Sequence, residues 1–576
     1  MKFATSPVLE LRLPTWRSRV VLALFCLAFV GLGARAVWLQ SVNKDFLQQK
    51  GESRYSRVIE ISANRGKITD RNGEVLAIST PVKSVWAIPG DAQPSSAQIT
   101  RLAALLEVPP QDIRKKLGDT GRDFVYLKRQ VPPEAAEKIN ELQLAGVFQS
   151  REYRRYYPAG EGMAHMLGFT GVDESGQEGI ELAFQQQLAG KAGSRRVIKD
   201  RRGQIVEDME SIKAAQEGRN VTLALDAKIQ SLAFAQLKAA IEQHKAKAGG
   251  IIVLDIRSGE VLALANMPTY NPNNRARLTG AQLRNRALTD SFEPGSTLKP
   301  FTIAIALETG KVRPETIIQT APGTLTIGPA TIRDAHAEGA LTVEQVIQKS
   351  SNVGAAKIAL SMSAESMAGM FANAGFGAMP QTGFPGEVSG RVRPFKTWRP
   401  IEQATMSYGH GISVSLIQLA RSYSIFARDG ELVPLSMTRV EGPVTAKPVI
   451  SAQTARQVRH MLELAVQPGG TAPRAQIMGY RIGGKTGTAH KLENGAYAAT
   501  KYVASFVGFA PVSDPRLVIA VMIDEPSAGQ YYGGQVAAPV FANVMAGALR
   551  RLEIPQDAPM KPIELPADGQ EVRESL

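Results

Sequence analysis

EPGSTLKPF, residues 293–301, sets a serine and a lysine three positions apart inside a frame of Pro294, Gly295 and Pro300. Proline is tolerated only in the first turn of a helix, where its missing N–H has no partner anyway. The apolar pattern of TLKPFTIAIALETG ends at Gly310, so the spacing predicts a helix that opens at Ser296. Residues three apart share a helix face, which brings the Ser296 hydroxyl to the Lys299 amine. Two readings of this tetrad stand side by side. Serine is a preferred helix cap. Equally, a lysine whose pKa is lowered by burial or by another cation can take the proton of a serine nucleophile.

Outward from the tetrad the chain is strands, a helical middle, then strands. GGIIVLDIRSGEVLALANMP (249–268) reads as a hairpin turning at Arg257, Ser258 and Gly259, preceded by a long amphipathic helix. Strands return at GYRIGGKTGTAH (479–490), YVASFVGFAP (502–511) and LVIAVMIDEP (517–526). This order predicts an α+β domain over 221–555, an antiparallel sheet with helices on its faces.

Residues 41–220 form a mixed segment. RGKITDRNGEVLA (65–77) suggests strands around a tight turn at Asn72-Gly73. Helical patches follow at ITRLAALLEV (99–108) and PEAAEKINELQLAG (133–146). GQEGIELAFQQQLAG (176–190) reads as a glycine-punctuated helix, and SRRVIKDRRGQIVED (194–208) as strand, turn, strand, its DRRG echoing the earlier DRNG. No catalytic cluster appears there, so the segment is expected to be a structural or docking module, an elongated mixed α/β pedestal. Residues 556–576 are polar and proline-rich and are expected to form a flexible tail.

At the other end VVLALFCLAFVGLGA (20–34) carries no charge, and the apolar character resumes after Arg35 as AVWL. With Arg35 snorkelling and Trp16 and Trp38 as interfacial anchors, residues 19–40 can cross about 30 Å of hydrocarbon. Ala34-Arg35-Ala36 also has the look of a signal-peptidase site. An uncleaved anchor behind a cytoplasmic tail of residues 1–18 is preferred, because the apolar run continues to Leu39. Either way the bulk of the chain leaves the cytoplasm.

The 576 residues carry a formal net charge of +14, from 67 Lys and Arg against 53 Asp and Glu, spread thinly along the chain. No basic stripe interleaved with aromatics is present, so nucleic-acid binding is not expected. The single cysteine, Cys26, excludes an internal disulfide framework and a cysteine zinc site. The histidines, among them His165, His336 and His410, are scattered and none lies in an HExxH arrangement, which disfavours a histidine-based metal enzyme.

Two further elements join the tetrad. QKSSNVG (348–354) lies between two helical runs and offers Ser350 as a proton relay and the Asn352 carboxamide for a substrate amide, though any helix–helix turn could read the same way. GGKTGTAH (483–490) sets Lys485, Thr486, Gly487 and Thr488 on a strand, where a second amine, hydroxyls and close backbone approach suit an extended peptide ending in a carboxylate. In order and placement these are S-x-x-K, S-x-N and K-T-G.

With FEPGSTLKPF, IRDAHAEGALTVEQVIQKSSNVG, MSYGHGIS and YRIGGKTGTA, the chain resembles the penicillin-binding proteins, the D,D-transpeptidases of bacterial wall synthesis. RGKITDRNGEVLA and GQEGIELAFQQQLAG resemble the pedestal of the monofunctional class B members, and the order anchor, pedestal, transpeptidase is similar to the septal enzymes of Gram-negative bacteria. The resemblance implies that Ser296 attacks a peptidoglycan stem peptide, that Lys299 is its base, and that Ser350 and Lys485 relay the proton. It implies that Asn352 orients the acyl amide, that Thr486 and Thr488 bind the substrate carboxylate beside Gly487, and that the N–H groups of Ser296 and Thr488 form the oxyanion hole. It further implies covalent capture by β-lactams at Ser296, a division role with membrane partners including a polytopic glycosyltransferase, an inner-membrane location with the catalytic domain periplasmic, and neither metal nor cofactor. One departure is His410, where many relatives of this type carry an aromatic. Tyr408, Tyr531 and Tyr532 are candidates for an aromatic wall, and His410 for a packing or substrate contact. An elongation transpeptidase is the nearest alternative. A serine β-lactamase would need an activating carboxylate that the sequence does not assign, and an inactive scaffold sits poorly with intact Ser296, Lys299 and Lys485.

Overall fold

The structure is a computed structural model and describes residues 14–42, 56–61, 63–199, 205–493, 495–563 and 574. The DRRG turn (200–203), the segment 43–55 and most of the first and last tails lie outside the described residues. Thr15–Val37 forms an α-helix with no buried residue, and together with the turn that follows it to Ser41 it is long and apolar enough to cross a membrane.

The described chain divides into two compact units, one made of residues 1–63, 83–151 and 191–216, the other of 64–82, 152–190 and 217–576. Residues of the 41–220 stretch contribute to both units. In the first unit, helices Ser96–Leu106, Pro110–Leu117 and Pro133–Glu141 bury Leu102, Leu106, Ile113 and Ile139 against Leu127 and Val131. Ser95 and Gln98 close a capping box at the first of these helices. Strands Ser56–Ile61, Gly193–Lys199 and Ile205–Lys213 pair antiparallel.

In the second unit the glycine-punctuated stretch after Gly176 is two short helices, Gly179–Ala183 and Gln185–Leu188, broken at Phe184 rather than one continuous helix. Its Glu181 reaches a buried ionic cluster. Arg65 Nε donates to Glu181 Oε2 at 2.6 Å and Arg155 Nε to Glu181 Oε1 at 2.7 Å. Arg65 also donates to the Glu174 carbonyl and to Gln185 Oε1. The DRNG stretch turns as expected: Gly73 has φ +87°, and Asp70 Oδ1 accepts the N–H groups of Asn72 and Glu74.

The same unit holds a five-stranded antiparallel sheet. Its strands are β1 (Ala248–Asp255), β2 (Glu260–Met267), β3 (Gly483–Glu493), β4 (Ala496–Ala510) and β5 (Leu517–Asp524), in the order β2-β1-β5-β4-β3. The β1–β2 hairpin turns through Gly259 at φ +74°, as the sequence indicates. Successive residues of each strand point to opposite faces. Ile251, Val253, Phe506, Ile519 and Val521 pack under the helices α1 (Ala227–Gln243) and α6 (Ala538–Arg551). Ile252, Leu254, Val507, Phe509, Val518 and Ala520 face a second layer containing α2 (Lys299–Glu308) and α5 (Leu416–Ser422). Both faces are buried, which is why these strands read as apolar runs rather than as alternation. The order leaves β3 at the sheet edge, where alternate backbone N–H and C=O groups have no strand partner.

The expected flexible tail starts too early in the 556–576 range. Asp557 accepts the N–H groups of Arg481 and Ser513, and Ala558 N donates to the Gly479 carbonyl, so its first residues are held to the sheet domain.

Candidate active site

Gly295–Leu298 forms a single 3-10 turn that runs into α2, so Ser296 stands one turn before Lys299, at the mouth of the helix. Gly295 has φ +55°, and the Thr297 hydroxyl donates to the Pro294 carbonyl at 2.7 Å. Tyr423 OH donates to the Thr297 carbonyl from the core side at 2.8 Å. Two glycines let other backbones close on this turn. A Cβ on Gly409 would meet the Gly295 carbonyl oxygen at 2.2 Å, and a Cβ on Gly487 would meet the Pro294 carbonyl oxygen at 2.7 Å. The YGHG stretch and edge strand β3 thereby press on the Ser296 turn from two sides.

The second motif ends one helix and begins the next. After α3 (Val343–Gln348), Ser350 N donates to the Ile347 carbonyl and Ser351 N to the Val346 carbonyl, the two bonds of a Schellman motif. Glycine is usual at the left-handed position of that motif, yet here it is Ser350, at φ +60°. A side chain there costs about 1–2 kcal/mol, and the reason for it is where its hydroxyl goes. Ser351 caps α4 (Asn352–Leu360) by accepting from Gly354 N at 2.9 Å.

Lys299 Nζ lies 2.8 Å from Ser296 Oγ, 2.6 Å from the Ser350 carbonyl oxygen and 3.0 Å from Ser350 Oγ. Lys485 Nζ lies 3.0 Å from the same Ser350 Oγ and reaches Thr486 Oγ1 at 3.3 Å. Both lysines are fully buried, and no carboxylate forms an ion pair with either among the described residues. Burial, and then the charge of Lys485, push the Lys299 amine well below the usual lysine range, against the opposing pull of Asp334 and Glu574. Burial brings Lys485 down to about 8, against the pull of Glu574. Of the two amines, Lys299 is the one pushed down by burial and by its neighbour's charge, and so the better placed to give up its proton. In its deprotonated form Lys299 has two N–H groups and one lone pair. The Ser350 carbonyl can only accept and takes one N–H. Ser350 Oγ can take the other, leaving the lone pair for the Ser296 proton. That arrangement leaves the Ser296 hydroxyl able to give its proton to Lys299, with Ser350 Oγ bridging the two lysine amines.

Asn352 is buried at the head of α4, with Nδ2 3.3 Å from the Arg333 carbonyl oxygen. Thr488 Oγ1 accepts from Gly533 N at 2.9 Å, whereas Thr486 Oγ1 turns to Thr471 Oγ1 at 2.9 Å. Tyr408 is buried with its ring centroid 6.0 Å from Lys299 Nζ. His410 stands between Tyr408 and Tyr497, and burial followed by the charge of Lys299 brings its imidazole down to about 4, so it is neutral at pH 7. Tyr532 immediately precedes Gly533 and packs on Tyr531, which stacks on Tyr502 at 4.2 Å.

Three residues absent from the sequence reading belong to this site. Asp334 accepts from Ser351 Oγ at 2.6 Å, Asn352 N at 2.5 Å and Val353 N at 3.0 Å, and so fixes the S-x-N turn. Glu293 accepts from Gly411 N at 2.8 Å and Tyr497 OH at 3.0 Å, joining the YGHG loop to the far end of the β3–β4 hairpin. Glu574 is the third, and its carboxylate lies on Thr488.

Two family models match the chain: the penicillin binding protein transpeptidase domain over residues 249–546 and the penicillin-binding protein dimerisation domain over 60–223. The chain is 44% identical to a probable peptidoglycan D,D-transpeptidase PenA of Neisseria gonorrhoeae, over 95% of this chain and 94% of the relative. It is 40% identical to the peptidoglycan D,D-transpeptidase FtsI of Escherichia coli K12, over 94% and 93%. The solved transpeptidase domain of Burkholderia pseudomallei penicillin-binding protein 3 matches with 49% identity and a TM-score of 0.55, covering 58% of this chain and 98% of that one.

Proposed function

The chain belongs to the class B penicillin-binding proteins, and from that premise we propose a residue-by-residue mechanism and a septal role for it. The family chemistry is peptidoglycan D,D-transpeptidation through a serine acyl-enzyme, with stem peptides as substrate and β-lactams as ligands.

Ser296 Oγ attacks the carbonyl carbon of the penultimate D-Ala while its proton passes to Lys299 Nζ. The oxyanion that forms is held by the N–H groups of Ser296 and of Thr488 on edge strand β3; such donors contribute about 3–4 kcal/mol of barrier lowering each. As the C–N bond breaks, the leaving amine of the terminal D-Ala takes a proton from Ser350 Oγ, which is resupplied by Lys485. An amine of a neighbouring stem peptide then attacks the acyl-enzyme, forms the crosslink and releases Ser296. A β-lactam acylates the same oxygen, but its leaving nitrogen stays tethered. Asn352 orients the acyl amide, Thr488 holds the substrate carboxylate with Thr486 behind it, and Tyr408, His410 and Tyr532 line the cleft. The observation that carries this reading is the Ser296–Lys299–Ser350–Lys485 chain of contacts at 2.8, 3.0 and 3.0 Å.

The septal role is supported by relatives named FtsI and PenA that span nearly the whole chain. On this reading the N-terminal helix is a single-pass anchor in the inner membrane, with its N-terminus cytoplasmic and the catalytic unit periplasmic. Its partners are division-site membrane proteins, including a polytopic glycosyltransferase that supplies glycan strands. Depletion in the living cell tests it: filaments are the expected result, and rounding into spheres would transfer the protein to elongation.

A further inference from the structure

Glu293 stands three residues before the nucleophile and takes no part in the proton path. It is half-buried, and both groups that bond it are uncharged. Oε1 accepts from Gly411 N at 2.8 Å, and the Tyr497 hydroxyl lies 3.1 Å from Oε1 and 3.0 Å from Oε2. An ionised carboxylate has about four lone-pair sites to fill, and here its two oxygens share one hydroxyl. Other covered carboxylates of the same unit have a cation in contact. Asp255 has Arg516 at 3.1 Å, Glu463 has Arg481 at 2.7 Å and Asp524 has Lys491 at 2.7 Å. Glu293 has none among the described residues. Its neighbour across Tyr497 is His410, whose imidazole is neutral at pH 7. Burial pushes the Glu293 carboxyl up, against the pull of the Gly411 N–H and the Tyr497 hydroxyl. A cation brought to it from outside would relieve that burial.

The position of this carboxylate follows from the sheet edge. An extended peptide adds to a strand such as β3. Gly295, next to Ser296, lies against Thr488 and Ala489: a Cβ there would sit 3.4 Å from the Thr488 carbonyl oxygen and 3.6 Å from Ala489 Cβ. The step from the carboxylate site at Thr488 to the nucleophile therefore runs toward Ala489. Continued at about 3.3 Å per residue, it leads to the hairpin end at Leu492, whose cross-strand partner is Tyr497. Residues upstream of the attacked carbonyl thus approach Tyr497 and Glu293, and Glu293 is tethered within about 11 Å of Ser296 by chain length alone. The crosslinking step uses an amine of the acceptor stem peptide. The donor stem carries the same amine unreacted, as an ammonium. We propose that Glu293, presented by Tyr497 and Gly411, is a donor-side specificity residue that receives the ammonium of the stem-peptide side chain upstream of the attacked carbonyl. The proposal rests on the acylation of Ser296 by stem peptides, and it adds a charge requirement on the donor.

The test uses the full-length chain in detergent and two acyl donors, D-Ala thioesters preceded by lysine in one and by Nε-acetyl-lysine in the other. Mass spectrometry reads the rate of Ser296 acylation by each. The lysine donor should react with a kcat/KM about tenfold higher, and Glu293→Gln, which keeps an acceptor for Gly411 and Tyr497, should bring the ratio to within about twofold. A merely structural role would slow both donors together and leave the ratio where it was. The unaltered protein also decides by itself: a donor with glutamate in place of the lysine should react more slowly than the acetyl-lysine donor. A lysine to acetyl-lysine ratio near one, a ratio that survives in Glu293→Gln, a glutamate donor as fast as the acetylated one, or no acylation by any donor on protein that labels with penicillin overturns the proposal. Absence of penicillin label as well would instead fall on the assignment of Ser296 as nucleophile.

Discussion

The second unit buries two pairs of cationic side chains, and it treats them in opposite ways. Around Glu181, two guanidiniums share one carboxylate, each at 2.6–2.7 Å, and Arg65 also donates to the Glu174 carbonyl and to Gln185 Oε1. Around Ser350, two lysine amines share a hydroxyl at 3.0 Å each, with no charge between them. Arginine stays protonated under all ordinary conditions, so the first cluster keeps its charges and is held by a shared anion. Lysine sheds its proton more readily when buried, so burial of the second cluster favours a free amine, the form that a base requires. The guanidiniums have a carboxylate in direct contact, whereas the lysine amines have a hydroxyl in contact and carboxylates only at a distance.

Substitutions at the two clusters should therefore fail differently. Lys299→Met removes the base while keeping an apolar stem of similar length. Acylation should fall about 10³–10⁴-fold, with the melting temperature unchanged or raised, because a desolvated amine has been removed. A stopped-flow rate and a melting curve on one sample check both halves. Glu181→Ala leaves two buried guanidiniums without their anion and should cost about 3–5 kcal/mol of stability. Its loss of penicillin binding should track the unfolded fraction in denaturant titration rather than precede it.

Ser350→Gly sharpens the contrast further. Glycine is the natural occupant of the left-handed cap position, so stability should rise by about 1 kcal/mol. Acylation should meanwhile drop about 10²-fold as the bridge between the lysines is lost. A variant that is both more stable and slower would identify the strain at Ser350 as belonging to the reaction. The smallest effect is the pH profile. Lys299 acts in its deprotonated form, so the rate should climb as pH rises through its lowered pKa. Lys485 acts protonated, so the rate should fall again above about pH 8. A profile that rises monotonically to pH 10 would remove Lys485 from the proton path.

The difference between the clusters also explains what the sequence discloses. S-x-x-K is legible because its partners are one helical turn apart and punctuated by Pro294, Gly295 and Pro300. S-x-N is legible because a helix break is marked by Ser350 and Ser351, and K-T-G because a glycine-interrupted strand is a local pattern. The hairpin turns at Gly73 and Gly259 were readable for the same reason. Asp334 was not, since a carboxylate that caps a helix from 18 residues upstream has no local signature. Glu293 and Tyr497 meet across 204 residues, and Thr488 and Glu574 across 86, so only the fold brings them together. The division of residues 41–220 between two units follows from contacts such as Arg65 with Glu181, which are 116 residues apart. Ser350 misleads in a further way: its conformation is a glycine's, and its identity is set by the two amines it must touch.

The central claim is that Ser296, with Lys299 as its base, is the acyl-forming nucleophile. Peptide mapping by mass spectrometry after exposure of the folded full-length protein to a β-lactam tests it most directly. The account predicts a stoichiometric adduct on Ser296 that disappears in Ser296→Ala. An adduct on another residue, or equal labelling of the Ser296→Ala protein, would contradict it.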